Sequence, residues 1–250
     1  MLRKVFLLLY LCSFQLFSQD NNSIILDTNG VTIKCPGADI GYTQTVSGKE
    51  YTVVDRASLV SVISSLGDVT CLCTSNVTDM SELFKSWPSY NQDIGSWDTS
   101  SATTMRSMFD NSQLFNQDLS FWNTSNVTDM SNMFEGLNIA QDISQWNVSN
   151  VTSMANMFNN ASMFNQDIGD WDISNVTHME EMFNIATAYS VCNYSKTLKG
   201  WATLEGSESL QSSVYFYGSD NGYYSFVEPY RDVLETDYSW TITDLSLIHI

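Results

Sequence analysis

The middle of this 250-residue chain repeats itself with a period of about 25 residues. Tryptophan, methionine and phenylalanine each recur at this spacing, and each phenylalanine follows a methionine by four residues. The members of these three series are Trp97, Trp122, Trp146 and Trp171; Met80, Met105, Met130, Met154 and Met179; and Phe84, Phe109, Phe134, Phe158 and Phe183. One such unit cannot bury its apolar side alone, whereas adjoining units share a continuous core. The repeat therefore predicts that these side chains fill a common interior.

Within each unit the apolar spacing changes from strand-like to helical. Residues 143–151 are apolar at positions 1, 4, 6 and 9, the pattern of a leucine-rich-repeat strand. Residues 154–158 then carry apolar side chains at i, i+3 and i+4, with Thr152 placed as a helix N-cap. Thr177 and Glu180 have the spacing of a capping box. The sequence thus predicts an α/β repeat solenoid of leucine-rich-repeat type, with a short strand and a short helix in each unit.

The beginning of the chain has the features of an export signal. Arg3 and Lys4 precede an apolar run, so residues 1–18 are expected to be a secretory signal peptide, cut after Ser18. Cys12 leaves a lipoprotein alternative open, although the preceding leucine stands where a lipobox has a small residue. The protein is therefore expected to be secreted or displayed on the cell surface.

The rest of the chain divides around the repeats. Residues 19–75 are expected to form an N-terminal cap, residues 76–185 about five repeats, and residues 186–244 a C-terminal capping segment. Residues 245–250 match one reading frame of a sequencing-library adapter and are expected to be an artefact, with a genuine terminal strand as the alternative. No later stretch has 18 consecutive apolar residues, so no transmembrane span is expected in the visible chain.

The charge and the residue types exclude several classes of function. With 28 acidic and 10 basic residues, the net charge of −18 argues against nucleic acid or an anionic membrane as partner. Only two histidines occur, and no nucleophile or carboxylate pair has a recognisable catalytic setting, so neither an enzyme nor a cofactor is expected. Four aspartates precede the tryptophans by four residues; turn capping is favoured over a calcium site for them. They are Asp93, Asp118, Asp142 and Asp167.

Four cysteines remain after removal of the signal peptide. An exported chain with an even number of cysteines favours disulfides. Cys35 and Cys73 are the preferred pair, joining the N-terminal cap to the first repeat, whereas Cys71 and Cys192 are expected either to pair or to stay free. Cys71 and Cys73 lack a second ligand pair at a spacing suited to zinc, so no metal site is expected.

The motif of residues 149–158, followed by that of residues 164–171, resembles the BspA-like leucine-rich repeats of bacterial surface proteins and mycoplasma lipoproteins. Segments outside the repeats also look like the lead-in and closing parts of that family. These segments are 30–36, 48–52, 73–78, 198–202 and 240–244. The resemblance implies a secreted or surface-displayed protein of adhesion or recognition without shared catalytic residues. Tyr223-Tyr224 departs from the Tyr-Cys of many relatives.

The residues beside each tryptophan are the candidate binding residues. If tryptophan and valine point inward from a strand, their neighbours point outward along the concave sheet of the solenoid. The set is Asp98, Asn123, Asn147, Asp172, Phe121, Gln145 and Asp170. Columns of short polar groups suit hydrogen bonding to a peptide or glycan, with Phe121 as a stacking anchor. The alternative is a solvated surface whose polar residues favour turns.

These features predict a binding module that mediates adhesion or recognition of an extracellular protein or glycan through that concave face. One alternative is a surface-layer or spacer protein without a specific ligand. Another is a glycan-active enzyme built on the repeats, for which the sequence offers no paired carboxylates.

Overall fold

The computed structural model describes residues 22–203, 210–218 and 228–243. The expected signal peptide, Tyr223-Tyr224 and residues 245–250 lie outside these ranges. The described elements, in chain order, are β1 Ile25–Leu26, β2 Ile33–Lys34, β3 Thr43–Val46, β4 Lys49–Val53, α1 Arg56–Ser64, β5 Leu72–Cys73, α2 Val191–Thr203, β6 Tyr215–Tyr217, α3 Glu228–Thr236 and β7 Thr241–Thr243. None of these three helices has the length and apolarity needed to cross a membrane.

The strands pair in three small sheets. Strands β1 and β2 are antiparallel, and so are β3 and β4. Strand β5 lies parallel to β4, which makes the second sheet mixed. Strands β6 and β7 form a parallel pair near the end of the described chain. All three sheets lie outside the repeats, before residue 76 or after residue 185.

The predicted α/β repeat solenoid is wrong. Residues 76–185, all of them described, contain neither a helix nor a strand. The units are joined instead by single-residue parallel bridges, which link Asp79, Thr104, Asp129, Ser153 and His178 in succession. With small mixed sheets and three short helices, the described chain is closer to a small α/β domain.

Backbone geometry explains why the predicted helices do not form. In residues 130–136 the N–H groups of alternate residues donate to carbonyl oxygens in residues 153–159 over 2.8–3.0 Å, so they are unavailable for the i→i−4 bonds of a helix. Asn132 and Gly136 have φ angles of 58° and 65°, in the left-handed region that α-helices exclude. Thr177 caps no helix either; its hydroxyl donates to the carbonyl oxygen of the equivalent threonine one unit earlier.

The apolar series are buried, which confirms the interior predicted for them. Every tryptophan, methionine and phenylalanine of the three series is 4% exposed or less. The five phenylalanines stack in sequence order, with centroid separations of 5.5–5.9 Å. Burial and aromatic contact thus follow the 25-residue spacing even though strands and helices do not.

The buried indole groups differ in their hydrogen bonding. Trp97, Trp122 and Trp146 each donate Nε1–H to a carbonyl oxygen 27 or 28 residues earlier in the chain, over 3.0–3.2 Å. The Nε1–H of Trp171 is buried and has no hydrogen-bond partner among the described residues. By analogy with the other three tryptophans, the equivalent acceptor for Trp171 would be the carbonyl of Ile143.

Helix α1 begins at a reciprocal cap. The Asp55 carboxylate accepts the Ser58 N–H over 2.8 Å, and the Ser58 hydroxyl accepts the Asp55 N–H over 3.0 Å. Hydrogen bonds from the Ser58 hydroxyl and N–H lower the pKa of Asp55 below its usual value. Leu59 and Ile63 are the buried residues of this helix and belong to the main core.

Helix α2 approaches the last repeat very closely. Gly200 lies against Gly169, and a Cβ atom on Gly200 would be only 2.4 Å from the Gly169 carbonyl oxygen. Only glycine permits this backbone contact. Tyr194, Leu198 and Trp201 from the same helix are buried in the main core.

Candidate functional site

The seven candidate binding residues lie on no strand, so the concave sheet face predicted for them has no counterpart in the described chain. Four of them share a different role. In Asp98, Asn123, Asn147 and Asp172 the Oδ1 atom accepts the N–H of the residue two positions later over 3.0–3.1 Å. These residues therefore hold turns, as short polar side chains often do.

The seven candidate residues differ in how much of each is exposed to solvent. Asp98 is 4% exposed, and Phe121 is 44% exposed. The other five, Asn123, Asn147, Asp172, Gln145 and Asp170, are exposed. Asp98 is thus the one residue of the set whose carboxylate is held inside the protein.

Three of the seven residues, Asp98, Phe121 and Asn123, line a polar cleft that the N-terminal segment completes. The cleft has an inner hollow of about 80 Å³ and a more open hollow of about 340 Å³. The two hollows meet at Lys34, Asp98 and Ser100, which line both of them. The remaining four candidates line neither hollow.

The N-terminal wall of the cleft is fastened to the repeats. The Ile33 N–H donates to the Ser96 carbonyl over 2.8 Å, beside a parallel bridge to Trp97. Cys35 and Cys73 form a disulfide, the pair that the sequence analysis prefers. Both cysteines are fully buried in a small second core. The wall is therefore held covalently as well as by hydrogen bonds.

A hydrogen-bond chain passes through Ser75 from one wall to the other. Its hydroxyl accepts the Cys35 N–H over 3.0 Å and donates to Asp98 Oδ2 over 2.5 Å. Since Asp98 Oδ1 also accepts the Ser100 N–H, both carboxylate oxygens are oriented by neighbours. The carboxylate has a fixed position at the junction of the two hollows.

The charges in the cleft come from one ammonium and two carboxylates. Lys34 Nζ lies 2.8 Å from Asp27 Oδ2. The hydrogen bond that Lys34 donates to Asp27 raises the pKa of Lys34, and the charges of Asp27 and Asp98 add to this effect. The same hydrogen bond, with one from the Thr28 N–H, lowers the pKa of Asp27. Lys34 is therefore a permanent cation at neutral pH.

The N-terminal residues of the cleft were not among the candidate binding residues. Asp27, Asn29 and Lys34 carry no motif and lie outside the repeats. One signal was present: the preferred Cys35–Cys73 pair already places Lys34 next to the first repeat. That signal indicates proximity, but it does not indicate which side chains of the repeat lie opposite.

The aspartate series before the tryptophans holds turns, which agrees with the interpretation favoured over calcium. In Asp93, Asp118, Asp142 and Asp167 the Oδ1 atom accepts the N–H two residues later over 2.9–3.1 Å. The bond from the Ser144 N–H is the main reason why the pKa of Asp142 is lowered. The described part of the chain contains no group of three or more metal-binding side chains.

The other two cysteines are not paired. Cys71 is partly exposed, and Cys192 is exposed on helix α2. Both are free thiols, which settles the question that the sequence left open.

Two segments of the chain, residues 57–139 and 120–213, match the family described as "Mycoplasma protein of unknown function, DUF285". Together they cover residues 57–213, more than half of the chain. The chain belongs to the DUF285 family. The match includes Asp98, Phe121 and Asn123 but begins at residue 57, after Lys34. The cleft therefore has one wall inside the DUF285 match and an N-terminal wall outside it. No curated protein and no solved structure matches the chain.

Proposed function

We propose that the protein is a secreted or surface-displayed recognition module that mediates adhesion by binding an extracellular protein or glycan. The observation that carries this proposal is the cleft, which brings a buried carboxylate, an ammonium group, an amide and an exposed aromatic ring together. Specific binding sites are concave and combine apolar contact with a few positioned polar groups. The cleft has both features.

The proposal is non-enzymatic. No histidine and no cysteine lines either hollow of the cleft. His178, the one histidine of the repeats, is exposed at a bridge position, where its Nδ1 is 2.8 Å from the Thr177 hydroxyl. The polar groups of the cleft are suited to hydrogen bonding with a ligand rather than to nucleophilic attack.

Kinship with BspA-like surface proteins supports an adhesive role. The motifs of residues 149–158 and 164–171 resemble that group, and the resemblance implies recognition at a cell surface. We infer this kinship for the sequence motifs and the role alone, without the leucine-rich-repeat fold. The net charge of −18 favours neutral or basic partners over nucleic acids.

The test is binding of the purified full chain to immobilised matrix proteins and glycans by surface plasmon resonance. Asn123→Lys is compared with Asn147→Lys, because both asparagines hold a turn through Oδ1 but only Asn123 lines the cleft. We expect Asn123→Lys to weaken binding about tenfold or more and Asn147→Lys to leave it unchanged. Equal effects would place the site elsewhere, and a chain that binds no member of the panel would contradict the proposal in favour of a spacer protein.

Export is tested separately in cells that express the full gene. We expect the protein in the medium or on the surface, with Gln19 as its first residue after removal of the signal peptide. A protein that keeps its first 18 residues and stays inside the cell would contradict this part of the proposal.

A further inference from the structure

We propose that the cleft between the N-terminal segment and the first repeats binds one sugar unit of a neutral glycan, with Phe121 as its stacking platform. This inference rests on the proposed recognition function and names the class of ligand for that same site. It commits to uncharged saccharides, as opposed to peptides and to sugars that carry a carboxylate, sulfate or phosphate.

The inner hollow is lined by an aromatic ring and by several polar groups. Phe121 offers an apolar ring face that is 44% exposed, and Asp98, Asn123 and Lys34 offer hydrogen-bonding groups beside it. A pyranose ring has the complementary form, since it carries a patch of C–H groups on its face and hydroxyl groups around its edge. Each hydroxyl both donates and accepts, so it can use carboxylate, amide and ammonium groups together.

The polar groups of the cleft have unused hydrogen-bonding capacity at fixed positions. An ionised carboxylate accepts about four hydrogen bonds, and that of Asp98 accepts two, from Ser75 and Ser100. Lys34 has three donors, and among the described residues Asp27 is its one ion-pair partner. The Nδ2 group of Asn123 donates to no group among the described residues. Acceptors and donors are thus both available without breaking a turn.

The cleft is also preorganised for binding. The disulfide and the Ser75 hydrogen-bond chain hold the two walls in place before any ligand arrives. Binding then loses little conformational entropy in the protein, which matters for a weakly bound ligand such as a single sugar.

The lining of the cleft also carries a net negative charge. Two carboxylates and one ammonium give the lining a formal charge of −1, in a chain of net charge −18. An anionic sugar would meet repulsion from both sources.

The experiment titrates the full chain with methyl glycosides of glucose, galactose, mannose and N-acetylglucosamine, and with N-acetylneuraminic and glucuronic acids. Chemical-shift changes and calorimetry are the measurements. We expect at least one neutral glycoside to bind with a Kd of about 1 mM, in the weak range usual for so small a ligand, and the two acids to show no binding.

Two variants and a control test whether the sugar stacks on the Phe121 ring. We expect Phe121→Ala to weaken binding about tenfold and Phe121→Tyr to retain it, since tyrosine keeps the ring face. Leu114→Ala is the matched control: Leu114 is an exposed apolar residue that lines neither hollow, and its loss should leave Kd unchanged. Both positions are exposed, so thermal unfolding of the three variants should be close to that of the unaltered chain.

The outcomes separate this inference from the proposed function. Binding of a matrix protein without binding of any neutral sugar would overturn the inference and leave the recognition function in place. Equal sugar affinity in Phe121→Ala and the unaltered chain would overturn the assignment to this cleft. Preference for the acidic sugars would overturn the charge argument. A chain that binds neither proteins nor glycans would overturn both proposals.

Discussion

Two buried tryptophans that differ in one hydrogen bond permit a matched test of the core. Trp146 is 4% exposed and donates Nε1–H to the Leu119 carbonyl over 3.2 Å. Trp171 is 1% exposed, and its Nε1–H has no partner among the described residues. Replacing each with phenylalanine removes the same atoms from equivalent places in successive units. The loss of apolar contact and the cavity are therefore similar in the two variants, and the N–H group accounts for the difference.

The magnitude follows from the two hydrogen-bonding states. Trp146→Phe loses a hydrogen bond with a net value of about 1 kcal/mol. The Leu119 carbonyl stays paired in that variant, because it also accepts the Trp122 N–H. Trp171→Phe removes a buried, unpaired donor that costs about 1–3 kcal/mol in the unaltered chain. We therefore expect Trp146→Phe to be less stable than Trp171→Phe by about 2–4 kcal/mol.

The assay is equilibrium unfolding in urea, followed by the fluorescence of the remaining tryptophans. With an m value of about 2 kcal/mol per M, the two midpoints should differ by about 1–2 M. Equal m values would show that both variants unfold between comparable states. Coincident midpoints, or a lower midpoint for Trp171→Phe, would refute the conclusion that the Trp171 indole is unpaired.

Three further predictions concern other parts of the fold. Gly200→Ala should lower stability by about 2 kcal/mol, because the new Cβ meets the Gly169 carbonyl and this overrides the helix propensity of alanine; an unchanged Tm would contradict the close contact. Replacing Cys35 and Cys73 with serine should cost about 4 kcal/mol in urea unfolding, as expected for a disulfide with a sequence separation of 38 residues; a midpoint equal to that of the oxidised chain would count against it. Asp55 has a folded pKa below its unfolded value, so its cap stabilises the protein above about pH 4 and is lost as the pH falls through the lowered pKa. Asp55→Asn keeps an uncharged cap, so the drop in urea midpoint between pH 6 and pH 3 should be smaller in this variant; an unchanged drop would show that Asp55 is not responsible.

The burial of the core was predictable, but its local backbone was not. A side chain that is apolar in every unit must be shielded from water, whatever backbone supports it. Spacings of i, i+3 and i+4 fit a helix, yet successive tight turns satisfy them too, as in Met130, Met133 and Phe134. The turns depend on residues with left-handed φ angles, such as Glu82 and Ser107. Unlike glycine, these residue types do not indicate that conformation in a sequence.

The candidate site was predictable on one wall. Asp98, Phe121 and Asn123 stand out because they flank the tryptophans of the repeat. Their grouping follows from a different cause than the one predicted, since no strand turns them outward. Lys34 and Asp27 reach the same cleft through long-range contacts of the N-terminal segment, and these depend on how the whole chain packs. Such long-range contacts produce no repeating pattern in a single sequence, so they could not be predicted from it.

Because most of the methionines are buried, their oxidation can report which parts of the fold open. Nine of the ten methionines in the described residues are 0% exposed, whereas Met163 is 55% exposed. Peroxide converts an accessible thioether to a polar sulfoxide, and a shielded one reacts only when the surrounding structure opens. Met163 should therefore be oxidised first and without loss of structure. Sulfoxide at the other positions, located by mass spectrometry, would show which units open most often.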